Sequence, residues 1–135
     1  MASMSRFSAS VVLCVLILGF QPATGAQDTW AAAKAQADAF EESAAGKPFV
    51  EAVSKAFEKE HSPTFSVCAK EVRRPDLSDF TLLLKVAGDG QVSDALAQPG
   101  TNLASCMCGK LKGWKVSPPP EAGAWVEIDV HLKPK

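Results

Sequence analysis

Only two histidines occur among the 135 residues, and no acidic pair is recognisable as a general acid and base. Nucleophilic catalysis needs a base beside the nucleophile and a third group to orient it. The chain is therefore read as a non-enzyme. His61 sits next to Ser62-Pro63 in an expected helix-ending turn and His131 lies near the C-terminus, and both read as plain exposed histidines. Glu127 and Asp129, two apart on one strand face, read as a solvated face ahead of a paired-carboxylate or calcium site, and Asp89 between two glycines reads as a turn residue. A basic excess is also missing, with 14 lysines and arginines against 15 acidic residues. That balance argues against a nucleic-acid partner, which would call for a basic face. The doublet Arg73-Arg74 reads as an exposed helix end before Pro75. There is no internal repeat, and low complexity is confined to the alanine-rich stretch 28–45 and Pro118-Pro119-Pro120.

The chain also lacks an apolar run of membrane-spanning length. Val11 to Phe20 is about half of the roughly 20 residues a spanning helix needs, so no permanent membrane anchor is expected. With Arg6 ahead of it and the small residues Ala23-Thr24-Gly25-Ala26 behind it, this run has the form of an export signal covering residues 1–26. Cys14 lies inside the signal and follows Leu13 rather than a small residue, which disfavours a lipoprotein anchor. Removal of Arg6 with the signal leaves thirteen basic residues against fifteen acidic ones, a formal charge of −2. About 110 residues then remain, enough for one modest core to which a cross-link would add noticeably. The expected location is periplasmic or secreted.

Asp28 to Ala45 carries Trp30, Ala33, Ala37, Phe40 and Ala44 at helical steps, with Asp28 placed to cap its start and Gly46 to end it in a left-handed conformation. Pro48 suits the first turn of a second helix with an apolar stripe of Phe49, Val50, Val53, Ala56 and Phe57, and Ser62-Pro63 is expected to break it. Thr64 to Arg74 fits a short helix better than a strand. Phe80 to Val86 alternates as a strand, with Phe80, Leu82, Leu84 and Val86 on one face and Leu83 implying a partly covered second face. Gly88-Asp89-Gly90 turns the chain into a returning strand over Gln91 to Leu96. Thr101 or Asn102 can cap a helix from Leu103 to about Gly113, the proline triplet forces an extended segment, and Trp125 to Leu132 forms the last strand.

These elements predict an α+β fold in which N-terminal helices (27–62) precede a small antiparallel β-β-α-β unit (63–135). The last strand pairs with the first, and one helix packs on a face of the sheet. The N-terminal helices offer Trp30, Phe40 and Phe57 as a homo-oligomer contact.

The second half resembles the TonB C-terminal fold, and within it the cysteine-containing gliding-motility proteins of the AgmX/PglI C-terminal type. The residues carrying the resemblance are Cys68, Pro75-Asp76-Leu77 leading into Phe80 to Val86, Gly90-Gln91-Val92, Cys106, Leu111, Trp114, Pro118 and Val126 to Val130. The chain departs from the family in Lys115-Val116-Ser117, in the additional Cys108, and in the lack of a preceding membrane helix or proline-rich stalk. The resemblance implies an envelope domain that binds a protein segment, for instance by adding a partner strand to an open sheet edge. A three-strand sheet has two such edges, and Lys133, Pro134 and Lys135 read first as edge protection.

Three cysteines remain after export, Cys68, Cys106 and Cys108, so one pair leaves one thiol over. Cys106 with Cys108 would be strained on a helix. The resemblance favours Cys68 with Cys106, and Cys68 with Cys108 stays open. The sharper alternative is a periplasmic thiol-redox or copper(I) protein using Cys106, Met107 and Cys108. Against it, a helix splays residues two apart, and the structural reading is preferred: one disulfide, a core methionine, a free Cys108 and no cofactor. Trp125 with Pro119 and Pro120 is a candidate peptide groove, set against a structural clamp of the same residues. The expected function is that of an exported, disulfide-stabilised, non-catalytic protein-binding module of the bacterial envelope whose partner is another envelope protein.

Overall fold

The computed structural model describes residues 26–132; the export-signal assignment, Cys14 and Lys133 to Lys135 fall outside that range. The element order is α1 (Ala26–Glu42), α2 (Gly46–Glu71), β1 (Phe80–Val86), β2 (Val92–Gln98), α3 (Asn102–Leu111) and β3 (Ala124–Val130). β1 is the central strand of an antiparallel sheet ordered β2-β1-β3, with Leu82 opposite Ala97 on one side and Ile128 on the other. This is the expected α+β class, with N-terminal helices followed by a β-β-α-β sheet.

Alternation along β1 divides the core in two. Phe80, Leu82, Leu84 and Val86 meet α2 and α3 in the larger cluster, which includes Phe57, Cys68, Leu103, Met107 and Leu111. Leu83 faces the other way and is fully buried rather than partly covered, because α1 lays Ala33 and Ala37 against Leu83 and Trp125. Alanines at these positions let the helix approach closely. The sheet is thus enclosed by α1 on one face and by α2 and α3 on the other.

Three sequence expectations are corrected. α2 does not break at Ser62-Pro63 but continues to Glu71, so the boundary drawn between residues 62 and 63 falls inside a helix. A proline inside a helix costs about 3 kcal/mol through a lost hydrogen bond and a clash. Here Phe57 and Cys68 anchor the helix to one core on both sides of the proline. Asp28 lies within the first turn of α1 rather than ahead of it. Gly46 opens α2 instead of closing α1 in a left-handed cap. What requires glycine there is proximity, since a Cβ would stand 1.8 Å from the Phe40 carbonyl oxygen.

The connections obey local chemistry. Gly90 takes φ +90° in the hairpin turn, where the Asp89 carboxylate accepts from the Gln91 amide. Thr101 caps α3 by accepting from the Ala104 amide at 3.1 Å. The Asn102 side chain instead donates to the carbonyls of Arg73 and Arg74 and accepts from the Asp76 amide, tying down the loop before β1.

Candidate functional site

The outer strands treat their free edges differently. Beyond β2, the segment after α3 runs alongside: the Val92 amide donates to the Trp114 carbonyl at 2.8 Å, the Gly113 amide to the Val92 carbonyl at 2.9 Å, and the Val116 amide to the Gly90 carbonyl at 2.8 Å. Further along, the Ala95 amide donates to the Asp94 carboxylate. Trp114 holds this cover in place. Its ring packs against Phe57 and His61, and its indole N–H donates to Glu60 at 2.6 Å. Burial lowers the His61 pKa, with the Glu60 charge opposing that shift.

Among the described residues, β3 has no such cover. The Ala87 amide bonds to Gln91 while the Val86 carbonyl accepts from Gly123, so the even-numbered residues of β1 bond toward β3. Their partners Ala124, Val126, Ile128 and Val130 bond inward, and Trp125, Glu127 and Asp129 direct their N–H and C=O outward. Among the described residues, no side chain or loop bonds to those outward groups.

Two grooves flank this edge. One, of about 340 Å³, lies between Glu127 to Val130 of β3, with His131 just beyond it, and Ser54, Phe57, Glu58, Ser62 and Phe65 of α2. The other, of about 420 Å³, lies between Glu121 to Trp125 and the C-terminal half of α1. The strand is firmly seated between them. Lys34 of α1 reaches Asp38 at 2.6 Å and Glu127 at 2.7 Å, which raises the Lys34 pKa through the Asp38 contact first and the Glu127 contact second. The Glu127 contact is a charge pair lying off hydrogen-bond geometry. The Thr81 hydroxyl donates to Asp129 at 2.7 Å. Asp79 accepts from the Leu132 amide and meets His131 at 3.2 Å, contacts that lower the Asp79 pKa, the His131 bond most.

The cysteines are elsewhere. Cys68 of α2 and Cys106 of α3 form a disulfide closing 38 residues of sequence separation. Cys106, Met107 and Cys108 do not converge on a common point: the Cys106 sulfur is bonded to Cys68, Met107 is fully buried in the core, and Cys108 is a half-buried free thiol near Asp94 and Lys112. Burial pushes the Cys108 thiol up to about 11, so it stays protonated and a poor nucleophile or metal ligand at neutral pH. Among the described residues no group of three His, Cys, Asp or Glu side chains is placed to hold a metal ion.

The Trp125 groove also differs from expectation. Trp125 is 7% exposed, packed under α1 against Ala33, Ala37 and Leu83, and neither Pro119 nor Pro120 lines the cavity beside it. Strand alternation turns the indole toward α1. Phe40 and Phe57, expected as an oligomer contact, are 7% and 4% exposed and serve this chain's own core.

The α2-side groove is not apparent from the sequence. Phe57 and Phe65 stand eight apart on the apolar stripe, but only a helix unbroken at Pro63 places both beside β3. No family model, curated protein or solved structure matches this chain. No helix among the described residues is long and apolar enough to cross a membrane.

Proposed function

We propose that this chain is an exported, non-catalytic protein-binding module that takes an extended segment of another envelope protein along the outer edge of β3. The observation that carries this reading is the contrast at the sheet edges: Gly113 to Val116 covers the Val92 end of β2, while among the described residues nothing covers the outward groups of Trp125, Glu127 and Asp129, which lie between two grooves. An added strand would gain main-chain hydrogen bonds from the edge and side-chain contacts from the grooves. The resemblance to the TonB C-terminal fold supports the same mode, and the disulfide suits an oxidising destination.

Asp129→Pro tests this reading. It removes an outward N–H and the side-chain bond from Thr81 but leaves the backbone ladder to β1 in place, a substitution edge strands tolerate. The wild-type chain and this variant are used to capture proteins from an envelope fraction, and amide exchange is measured on the captured complex. Expected are capture by the wild type alone and slowed exchange at Trp125, Glu127 and Asp129. Equal capture by both chains, or protection confined to another surface, rejects the reading.

A further inference from the structure

The open edge of β3 has two chemically different sides. Val126, Ile128 and Val130 turn toward the large core, where Phe57 and Phe65 of α2 line the groove. Trp125, Glu127 and Asp129 turn to the opposite face. Among the described residues, no lysine or arginine lines either flanking groove, whereas Glu58, Glu127 and Asp129 line one and Glu121 the other. Two cations on the α1 face of the sheet are already engaged: Lys34 with Asp38 and Glu127, and Lys85 over the Trp125 ring at 5.9 Å. Among the described residues, Glu58, Glu121 and Asp129 have no cationic partner.

A second copy of the chain fits this edge poorly. An antiparallel β3 pair centred on Ile128 sets Glu127 against Asp129 twice, and one centred on Glu127 sets that residue against itself. Like charges directly opposite destabilise a strand pair, whereas opposite charges stabilise it. Resting on the strand-addition reading above, we infer that the segment bound at β3 belongs to a different protein and alternates basic with aliphatic residues. Its basic face lies beside Glu127 and Asp129. Its aliphatic face continues the row of Val126, Ile128 and Val130 over Phe57 and Phe65.

The test titrates the full, disulfide-bonded chain with three synthetic decapeptides: alternating lysine and valine, alternating glutamate and valine, and lysine and valine in two blocks. Calorimetry and amide exchange are read together. The alternating lysine–valine peptide is expected to bind at least tenfold more tightly than either control, to slow exchange at Trp125, Glu127 and Asp129, and to weaken as salt is raised. The double variant Glu121→Lys, Asp129→Lys, which reverses charge on the side the basic face occupies, is expected to remove the tenfold preference, with circular dichroism confirming that it folds. Equal binding of the glutamate–valine peptide, with β3 protected, overturns the basic partner and leaves strand addition standing. No protection at β3 with any peptide overturns strand addition and this inference with it. A dimer in sedimentation, with β3 amides protected before peptide is added, overturns the choice of a different protein as occupant.

Discussion

The two outer strands are each seven residues long and both pair antiparallel with β1, yet one edge is covered at its Val92 end and the other has no cover among the described residues. The difference lies in the course of the chain after each strand. After β2 the chain turns through α3, and the disulfide and buried Leu111 hold that helix so that Gly113 to Val116 returns along the Gly90 to Val92 end. β3 closes the described fold, and α1 and α2 cover its faces without covering its edge. An uncovered edge is a liability unless it is used. The helices beside it limit how a strand can approach, which separates a binding edge from an aggregating one.

The largest test of this contrast is removal of the disulfide. Cys68→Ala with Cys106→Ala should lower stability by about 4 kcal/mol, from the loop entropy returned to the unfolded chain. Urea unfolding measures the loss. Native-state amide exchange should quicken at Val92, Gly113 and Val116 and change little at Trp125, Glu127 and Asp129. Equal quickening at both edges would show that α3 does not specifically secure the cover.

Gly90→Ala attacks the cover itself. Its φ is +90°, and a Cβ would stand 2.1 Å from the Val116 carbonyl oxygen, so a cost of about 3 kcal/mol is expected, with faster exchange of the Val116 amide. A cost near zero in the same urea experiment would mean that Val116 is not held against the turn.

A smaller effect is expected from Asp129→Pro on the other edge. It removes the hydrogen bond from Thr81 but no ladder bond, so about 1 kcal/mol should be lost. A much larger loss would show that the Asp129 amide already has a partner.

The smallest effect is in pH. Burial lowers the His61 pKa, so the unfolded chain binds more protons than the folded one between the two values. This contribution is present above the ordinary histidine value of about 6.5 and is lost as pH falls through it toward the lower folded value. Because His61 packs on Trp114, acidification should loosen the β2 cover first. His61→Gln should flatten that part of the stability profile, and an unchanged slope would place its origin elsewhere.

Much of the fold is legible in sequence because it rests on local pattern. Alternation in Phe80 to Val86, the glycine turn after it, the cap before α3 and the last strand each depend on a few neighbouring residues. The continuity of α2 is not legible, because the local cost of Pro63 is set against packing of Phe57 and Cys68 on strands that come later in the chain. The place of Trp125 is hidden for a related reason. The adjacent prolines suggest a groove, while the alanines that cover the indole lie about ninety residues earlier.

Side-chain periodicity and composition were enough to determine the alternating strands, the class and order of most elements, and a charge balance with no basic excess. Which cysteines meet, which face of the sheet α1 covers and which edge stays open were decided only in the folded chain. Those outcomes depend on packing between residues distant in sequence, and no window of neighbours contains that information.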